Sequence, residues 1–264
     1  MLVARLKKSQ IENTVIMENL ILYTSPFSKH RVGRPNDGGY VIVNLPGTYD
    51  LFISGGINDD TSFEEHFVSL YPDVPCYAFD GTINALPVPS QKINFVKKNL
   101  GATNTDTLTD LHEYMRKSND IFMKMDIEGH EYRIMPTFIQ SNYIQKIKQL
   151  VIEIHTPGDI QLYPDYFKGL SDIQNEHMFD LLNKINKTHT LVHFHANNGC
   201  KIQMVEGILL PHVYELTFIR NEFVTEKVRN TDALPTKLDM RNIKEKPDYF
   251  LFGHPYTVSG GVLN

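Results

Sequence analysis

The chain has 264 residues, of which 41% are hydrophobic and 22% charged, and its formal net charge is -5. This composition is ordinary for a globular protein with a sizeable core. Lysine and arginine are interspersed with aspartate and glutamate instead of forming a basic stripe, so we expect no nucleic-acid partner.

The beginning of the chain and its cysteines bear on location. The first residues, MLVARLKKSQ, lack the continuous apolar run of a signal peptide. Cys76 and Cys200 lie far apart and form no CxxC motif. No apolar run approaches the roughly 18 residues that span a bilayer. We therefore expect a reducing, cytoplasmic location and no membrane partner, while the oligomeric state is left open.

Short apolar runs alternate with longer amphipathic stretches along the chain, which is typical of an α/β fold. Several runs are almost continuously apolar, as expected for a parallel sheet with helices on both faces. The predicted strands span residues 40–43, 49–54, 76–80, 93–98, 120–126, 149–155, 190–195 and 213–220. The predicted helices span residues 62–71, 108–118, 131–141 and 175–187.

Two local signals refine these helices. Ser62 is predicted to cap helix 62–71, with Glu65 completing a capping box. Pro136 is predicted to kink or break helix 131–141. We expect one domain over residues 1–264, with a core at about 30–220, a peripheral N-terminal segment 1–30 and a C-terminal extension 221–264.

A glycine turn follows the second predicted strand. Gly55 and Gly56 permit a sharp turn and close approach of a ligand, and the next helix directs free backbone N–H groups at the same pocket. One βα unit later, Asp80 stands where nucleotide-binding folds place the acid that binds ribose hydroxyls. The alternative is an ordinary turn with an N-capping aspartate. Because GxGxxG is absent, the pattern favours S-adenosylmethionine over NAD.

The segment KMDIEGHE, residues 124–131, resembles the signature of the FkbM family of S-adenosylmethionine-dependent methyltransferases. TDTLTDLHEY before it and LVIEIH after it are similar to that family as well. RVGRPNDGGYVIV, HFHANNG and VYELTFIR are similar to a subgroup that includes animal methyltransferase-like proteins, so the likeness covers about residues 30–220. It implies a class I methyltransferase (Rossmann-like) fold, a doubly wound, seven-stranded, mostly parallel sheet with 213–220 as its one antiparallel strand.

The resemblance also implies methyl transfer to a hydroxyl of a small molecule or glycan, often a sugar or sugar-like ring. Tyr163, Tyr166 and Phe167 could stack on such a ring or merely pack. The turn SGGINDDTS departs from the Gly-Ala-x-x-Gly of many relatives, and His130 stands where they often have a small residue. The predicted cofactor-binding residues are Asp37, Gly38, Gly39, Tyr40, Gly55, Gly56, Asp60, Ser62, Asp80, Gly81, Thr82 and Asp126.

Acidic and imidazole side chains recur in pairs at predicted strand ends, where a side-chain period of two places both members on one face. The pairs are Asp126 with Glu128, Glu153 with His155, and His193 with His195. An alcohol becomes a good nucleophile when a base takes its proton or a metal lowers its pKa. The strand order that the resemblance implies makes strands 120–126 and 149–155 neighbours, about 4.8 Å apart, so their end residues can share one ion.

Two mechanisms fit these pairs. In the first, a histidine deprotonates an acceptor that is held by Mg²⁺ or Mn²⁺. The predicted metal ligands are Asp126, Glu153, His155 and His195, the last only if loop 196–199 folds back over the site. In the second, no metal is needed, and His130 or His155 is the general base with Glu128 or Glu153 orienting its ring. The predicted catalytic residues are Asp126, Glu128, His130 and His155.

Two rival classes use the same residues. A metal-dependent hydrolase on an α/β sheet would use the histidine and carboxylate pairs around a metal with an open position. A non-catalytic module would bind the cofactor or a sugar without turnover. A purely structural alternative also stands, in which Glu128 caps the following helix and His155 and His193 are satisfied core residues.

Overall fold

A seven-stranded sheet organises the chain in the computed structural model, which describes residues 18–205 and 207–258. Residues 1–17 and 259–264, the outer parts of the two predicted peripheral segments, lie outside the described residues. The strands are β1 (Leu51–Gly55), β2 (Cys76–Phe79), β3 (Ile93–Val96), β4 (Ile121–Met125), β5 (Ile147–His155), β6 (His189–Ala196) and β7 (Val213–Arg220).

The strand order is β6-β7-β5-β4-β1-β2-β3. The five strands from β5 to β3 pair in parallel, whereas β7 is antiparallel to both of its neighbours. The prediction of a mostly parallel sheet with one antiparallel strand at 213–220 is confirmed, and with it the class I methyltransferase (Rossmann-like) fold. The order places the carboxyl ends of β1, β2, β4 and β5 side by side.

Shorter strands pair outside this sheet. Lys29–Val32 pairs with Tyr40–Val43 and Ile202–Val205 with Ile208–Pro211, both antiparallel, and Asn99–Leu100 pairs with Leu108–Thr109 in parallel. The predicted strand 40–43 therefore belongs to a hairpin. This hairpin packs on the sheet, because the side-chain amide of Gln149 exchanges hydrogen bonds with the backbone of Val43, at 2.6 and 3.0 Å.

Helices cover both faces of the sheet. They are α1 (Ser62–Leu70), α2 (His112–Met115), α3 (Glu131–Gln140), α4 (Pro157–Leu162) and α5 (Asn175–Asn186), with single 3₁₀ turns at Tyr143–Lys146 and Asn221–Phe223. The predictions at 62–71, 131–141 and 175–187 are confirmed, but 108–118 contains only the four-residue α2. No helix within 18–205 and 207–258 is long and apolar enough to cross a membrane.

Two helix signals have different outcomes. The predicted capping box is wrong: Thr61 precedes α1, and no side chain caps it. The reason is that Asp60 accepts hydrogen bonds from both the backbone N–H and the hydroxyl of Ser62, each at 2.9 Å. Pro136 lies inside α3, which continues to Gln140, so it does not break the helix.

An aromatic cluster fixes β1 and β4 on one face of the sheet. Phe52 of β1, Phe122 of β4 and Phe67 of α1 have no exposed surface, and the ring centroid of Phe67 lies 4.3 Å from that of Phe52 and 4.4 Å from that of Phe122. Burial of each such side chain contributes about 1.5–3 kcal/mol. The aromatic cluster therefore holds β1 and β4 rigidly together, and the cavity described below opens at the ends of these two strands.

The C-terminal extension is attached to the edge strand β6 by a buried contact between a carboxylate and an imidazole. Asp239 Oδ1 lies 2.8 Å from His193 Nε2, and both side chains are almost fully buried. Burial opposes ionisation of Asp239, but His193, together with His195 and the backbone N–H of Thr236, holds its pKa at about 2. The carboxylate is therefore charged at all but strongly acidic pH.

Replacing Asp239 with asparagine tests this attachment. The folded-state pKa of about 2 lies below the ordinary 3.8, so the pair stabilises the fold above pH 3.8 and loses its contribution as the pH falls towards 2. By linkage that contribution is about 2 kcal/mol. We expect Asp239→Asn to lower the free energy of unfolding in urea by this amount at neutral pH and by progressively less in acid. Asp232→Asn, an exposed change in the same extension, is the control, and a pH-independent difference would contradict this contact.

Candidate active site

A cavity of about 660 Å³ opens at the carboxyl ends of β1, β2, β4 and β5. Open α/β sheets bind ligands at this edge, and the volume is typical of small-molecule sites. The predicted residues that line it are Asp37, Gly38, Gly56, Asp60, Asp80, Thr82, Asp126, Glu128, His130, Glu153 and His155. The predicted Gly39, Tyr40, Gly55, Ser62, Gly81 and His195 lie outside its lining.

The glycine turn after β1 packs directly on the turn after β4. Gly56 has a φ of +80°, and a Cβ atom there would lie 1.6 Å from the carbonyl oxygen of Asp126. The N–H of Asp126 in turn donates to the carbonyl of Gly55 at 3.1 Å. Glycine at 56 is required by both its left-handed backbone and this close approach, which joins the predicted cofactor turn to the acidic segment.

Asp80 braces the same turn. One of its oxygens accepts the N–H groups of Ile57 and Asn58, at 3.0 and 2.8 Å, and the other accepts the N–H and hydroxyl of Thr82, at 2.7 and 2.5 Å. Burial opposes ionisation, but these donors outweigh it and lower the pKa of Asp80. A carboxylate offers about four acceptor positions, so a ribose hydroxyl would have to compete for one of them. The ribose contact stays a prediction.

Glu128 is held over the cavity by an uncommon backbone conformation. Its φ is +55°, and Gly129 follows at +81°. A left-handed non-glycine residue costs about 1–3 kcal/mol and is found mainly where function requires it. The conformation brings Glu128 Oε2 within 3.1 Å of His155 Nε2. It is Glu131, not Glu128, that accepts the N–H of Ile127 at the start of α3, at 2.8 Å.

His155 lies at the end of β5 among three carboxylates. Its Nδ1 atom is 2.8 Å from Asp159 Oδ2, and its Nε2 atom is 3.3 Å from Glu153 Oε1 in addition to the contact with Glu128. Burial disfavours a charged ring, but Asp159, Glu128 and Glu153 outweigh it and hold the pKa of His155 well above its ordinary value. The imidazole is therefore charged unless another cation replaces its proton.

The neighbouring acids are crowded. Tyr40 donates its hydroxyl to Asp126 Oδ2 at 2.8 Å, which places the predicted Tyr40 just behind the cavity wall. Burial raises the pKa of Asp126 and Glu128 adds to the effect, while the nearby Lys124 opposes it. Burial and the nearby Asp126 raise the pKa of Glu153 to about 8. The carboxyl groups at the ends of β4 and β5 therefore disfavour one another's ionisation.

The other predicted histidines differ in placement. His130 lines the cavity just before α3, and burial, with a smaller effect of Arg133, lowers its pKa. His195 lies away from the cavity, with Nδ1 3.3 Å from Glu215 and Nε2 3.9 Å from Asp248. Burial opposes its charge, but Glu215 and Asp248 raise its pKa to about 10. It therefore forms part of a second cluster.

Some residues of the site were missed from the sequence. Lys124 donates to the carbonyl of Gly56 at 2.8 Å and lies 3.9 Å from Glu64, although it begins the KMDIEGHE segment. Asp159 is four residues after His155, in a Thr-Pro-x-Asp helix start that could have been recognised. Apolar and amide side chains of the cavity gave no signal; they are Ile57, Phe79, Asn99, Leu100 and Leu108. Asn197, in the loop 196–199 that was considered for folding back over the site, also lines the cavity.

Comparison with known proteins gives distant structural matches. No family model matches the sequence, and no curated protein matches it. Structures of the plantazolicin methyltransferase BpumL with SAH match 67% of this chain. With a monoazolic desmethylPZN analogue the identity is 11%, the coverage of that chain 77% and the TM-score 0.36. With the pentazolic and triazolic analogues the identity is 10%, the coverage 78% and the TM-scores 0.32 and 0.30. Such distant likeness carries no argument about function.

Alanine substitutions at two glycines test the contact between the turns. Gly56 and Gly169 have nearly the same φ, +80° and +81°, but a Cβ at 169 has nothing within 4 Å. Gly169→Ala is expected to cost about 1 kcal/mol for the backbone alone. Gly56→Ala must also move the Asp126 carbonyl, which adds about 1–3 kcal/mol. Equal losses in urea unfolding would contradict the close approach.

Proposed function

We propose that this chain is an S-adenosylmethionine-dependent O-methyltransferase that acts on a hydroxyl of a sugar or sugar-like small molecule or glycan, as the resemblance to the FkbM family implies. One observation carries the proposal: a single cavity joins the glycine turn after β1 to the carboxylate and imidazole groups after β4 and β5. Methyl donor and acceptor must meet in one space for an in-line displacement. The single domain over 1–264 and the cytoplasmic location stay predictions.

The chemistry of the cavity suits a cationic, adenosine-bearing ligand. Apolar side chains of Ile57, Phe79 and Leu100 offer a surface for a flat base. Carboxylates line the same space in excess over Arg34 and Lys124 and favour a sulfonium over the pyrophosphate of a dinucleotide. The carboxylate residues are Asp37, Asp59, Asp60, Glu64, Asp80, Asp126, Glu128 and Glu153. The absence of GxGxxG supports the same choice.

The residues after β4 and β5 are placed to activate an alcohol. S-adenosylmethionine would supply the methyl group and leave as S-adenosylhomocysteine. The acceptor oxygen forms a bond to the methyl carbon as the carbon–sulfur bond breaks, and the hydroxyl proton passes to the protein. Glu153, with its pKa raised to about 8, accepts that proton only in its ionised form, so this role favours a weakly alkaline pH. A charged His155 is a poor base, so His130 or a carboxylate is better suited than His155.

A divalent cation, Mg²⁺ or Mn²⁺, is the second means of activation, since a bound cation lowers the pKa of a hydroxyl group. Asp126, Glu128 and His155 each offer a ligand atom, and these atoms lie within 4.8 Å of one another. His195 contacts Glu215 instead, so its predicted role as a ligand has no support in the placement of its ring. Glu153 lies beside the group, 3.3 Å from His155 Nε2.

Cofactor binding is the first test. We expect S-adenosylmethionine and S-adenosylhomocysteine each to bind in calorimetry, and at 100 times the dissociation constant to stabilise the fold by about 2.7 kcal/mol. NAD is the control and should not bind, because its pyrophosphate meets the carboxylates of the cavity. No stabilisation by either adenosyl compound would rule the proposal out. Metal-dependent hydrolysis without them would favour the hydrolase alternative.

Asp126→Asn tests the role of the acidic segment. The amide still accepts the hydrogen bond from Tyr40 but carries no charge, so we expect methyl transfer from labelled S-adenosylmethionine to a panel of sugars to fall by about 10²–10⁴. Binding of S-adenosylhomocysteine should change much less. The matched control is Asp73→Asn, an exposed acid before β2. Unchanged turnover in Asp126→Asn would remove this residue from catalysis, and binding without transfer to any sugar would favour the binding module.

A further inference from the structure

We propose, on the basis of the function proposed for this site, that Asp126, Glu128 and the Nε2 atom of His155 bind a divalent cation of the Mn²⁺ class, and that Asp159 is the positioning residue that holds His155 for it. The ligand set differs from the one predicted from the sequence, since Glu128 replaces Glu153 and His195 in the group of ligand atoms that lie within 4.8 Å of one another.

The unpartnered nitrogen of His155 points to a ligand. His155 is 8% exposed, and within 18–205 and 207–258 its Nε2 atom has no hydrogen-bond partner. Oxygens of Glu128 and Glu153 lie 3.1 and 3.3 Å away, but without hydrogen-bond geometry. A buried polar atom left unsatisfied costs about 1–3 kcal/mol. A cation held by this nitrogen, Glu128 and Asp126 would satisfy the nitrogen.

The carboxylates around this nitrogen are balanced by the His155 ring itself and not by an ion pair with a lysine or arginine. In the described part of the chain, no lysine or arginine forms an ion pair with Asp126, Glu128 or Glu153. The two basic residues that line the cavity are engaged elsewhere: Arg34 pairs with Asp60 at 3.1 Å and Lys124 with Glu64 at 3.9 Å. A cation that replaces the proton on His155 would therefore take over its role as the counterion of these carboxylates.

Asp159 fixes which nitrogen of His155 faces the cavity. Its Oδ2 atom lies 2.8 Å from Nδ1, so a proton on Nδ1 leaves the lone pair of Nε2 for a ligand. Carboxylate–histidine–metal arrangements of this kind orient the ring and fix its tautomer. Asp159 is 3% exposed, and its N–H donates to Thr156 Oγ1 at 3.3 Å where α4 begins. The aspartate is itself firmly placed.

The ligand types indicate the class of cation. Two carboxylates with one imidazole suit Mn²⁺ better than Ca²⁺, which prefers oxygen alone, or a structural Zn²⁺ site with cysteine thiolates. Two of the three ligands already have oriented neighbours, since Tyr40 holds Asp126 Oδ2 and Asp159 holds His155. Glu128 is oriented by its left-handed backbone. The group is thus preorganised before a cation arrives.

Mn²⁺ titration of the full chain tests the inference without any turnover. Free Mn²⁺ is counted by its electron paramagnetic resonance signal, and we expect one ion per chain. His155→Gln and Glu128→Gln each remove a ligand and should weaken binding at least tenfold. Asp159→Asn should weaken it by about 10–100-fold, because its amide can donate to Nδ1 and so move the ring proton to Nε2. His195→Gln, a change in the second cluster, should leave the affinity unchanged.

The contrary outcomes are distinct. No binding at millimolar Mn²⁺, full binding by His155→Gln, or equal loss in His195→Gln would each overturn the proposed ligand set. Because Asp159→Asn could fail to fold, ¹⁵N resonance of the wild-type ring gives a second test of positioning, and a neutral His155 protonated on Nε2 would overturn the role of Asp159. Titration with S-adenosylhomocysteine separates the two proposals. A chain that binds Mn²⁺ but not S-adenosylhomocysteine would refute only the methyltransferase. A chain that binds S-adenosylhomocysteine but not Mn²⁺ would refute only the metal site.

Discussion

The carbonyl oxygen of Asp126 occupies the place where a side chain at position 56 would have to begin, 1.6 Å from an ideal Cβ. At this contact the turn after β1 packs against the turn after β4 with no space for a side chain between them. Asp80 secures the first turn from its other side through the N–H groups of Ile57 and Asn58. The glycine turn and the acids after β4 and β5 therefore line one cavity.

The register of the sheet decides which strand-end residues share that space. β4 and β5 are parallel neighbours with Met125 opposite Ile152, so Asp126 and Glu153 follow at the same level. Across the antiparallel pairs, Glu215 lies opposite Glu153 and His195 opposite Glu215. One whole strand thus separates His195 from the acids that it was expected to join. The side-chain period of two predicted which residues of one strand share a face. It did not predict the partner of His195, because that partner is Glu215 of β7.

Much of the fold could be predicted from the sequence, because apolar runs such as 149–155 and 213–220 report burial directly, and the resemblance supplied their order. The helix at 108–118 could not, since Leu111 adopts a left-handed backbone and leaves only α2 as helix. The periodicity of the sequence does not predict contacts between distant segments either. Asn242, for example, donates to Glu215 at 2.9 Å and to Asp37 at 3.2 Å, which ties the C-terminal extension to the cavity rim.

The group of acids at the ends of β4 and β5 costs folding free energy, and this cost points to a ligand. Carboxylates at the ends of β4 and β5 are buried beside one another, and Glu128 adopts a strained backbone to join them. Replacing one of these carboxylates with a neutral side chain would favour folding, because buried like charges and left-handed non-glycine residues both cost free energy. Any cation that binds there, whether a sulfonium or a metal ion, recovers part of that cost. A ligand that bound there would stabilise the fold according to its concentration and its affinity.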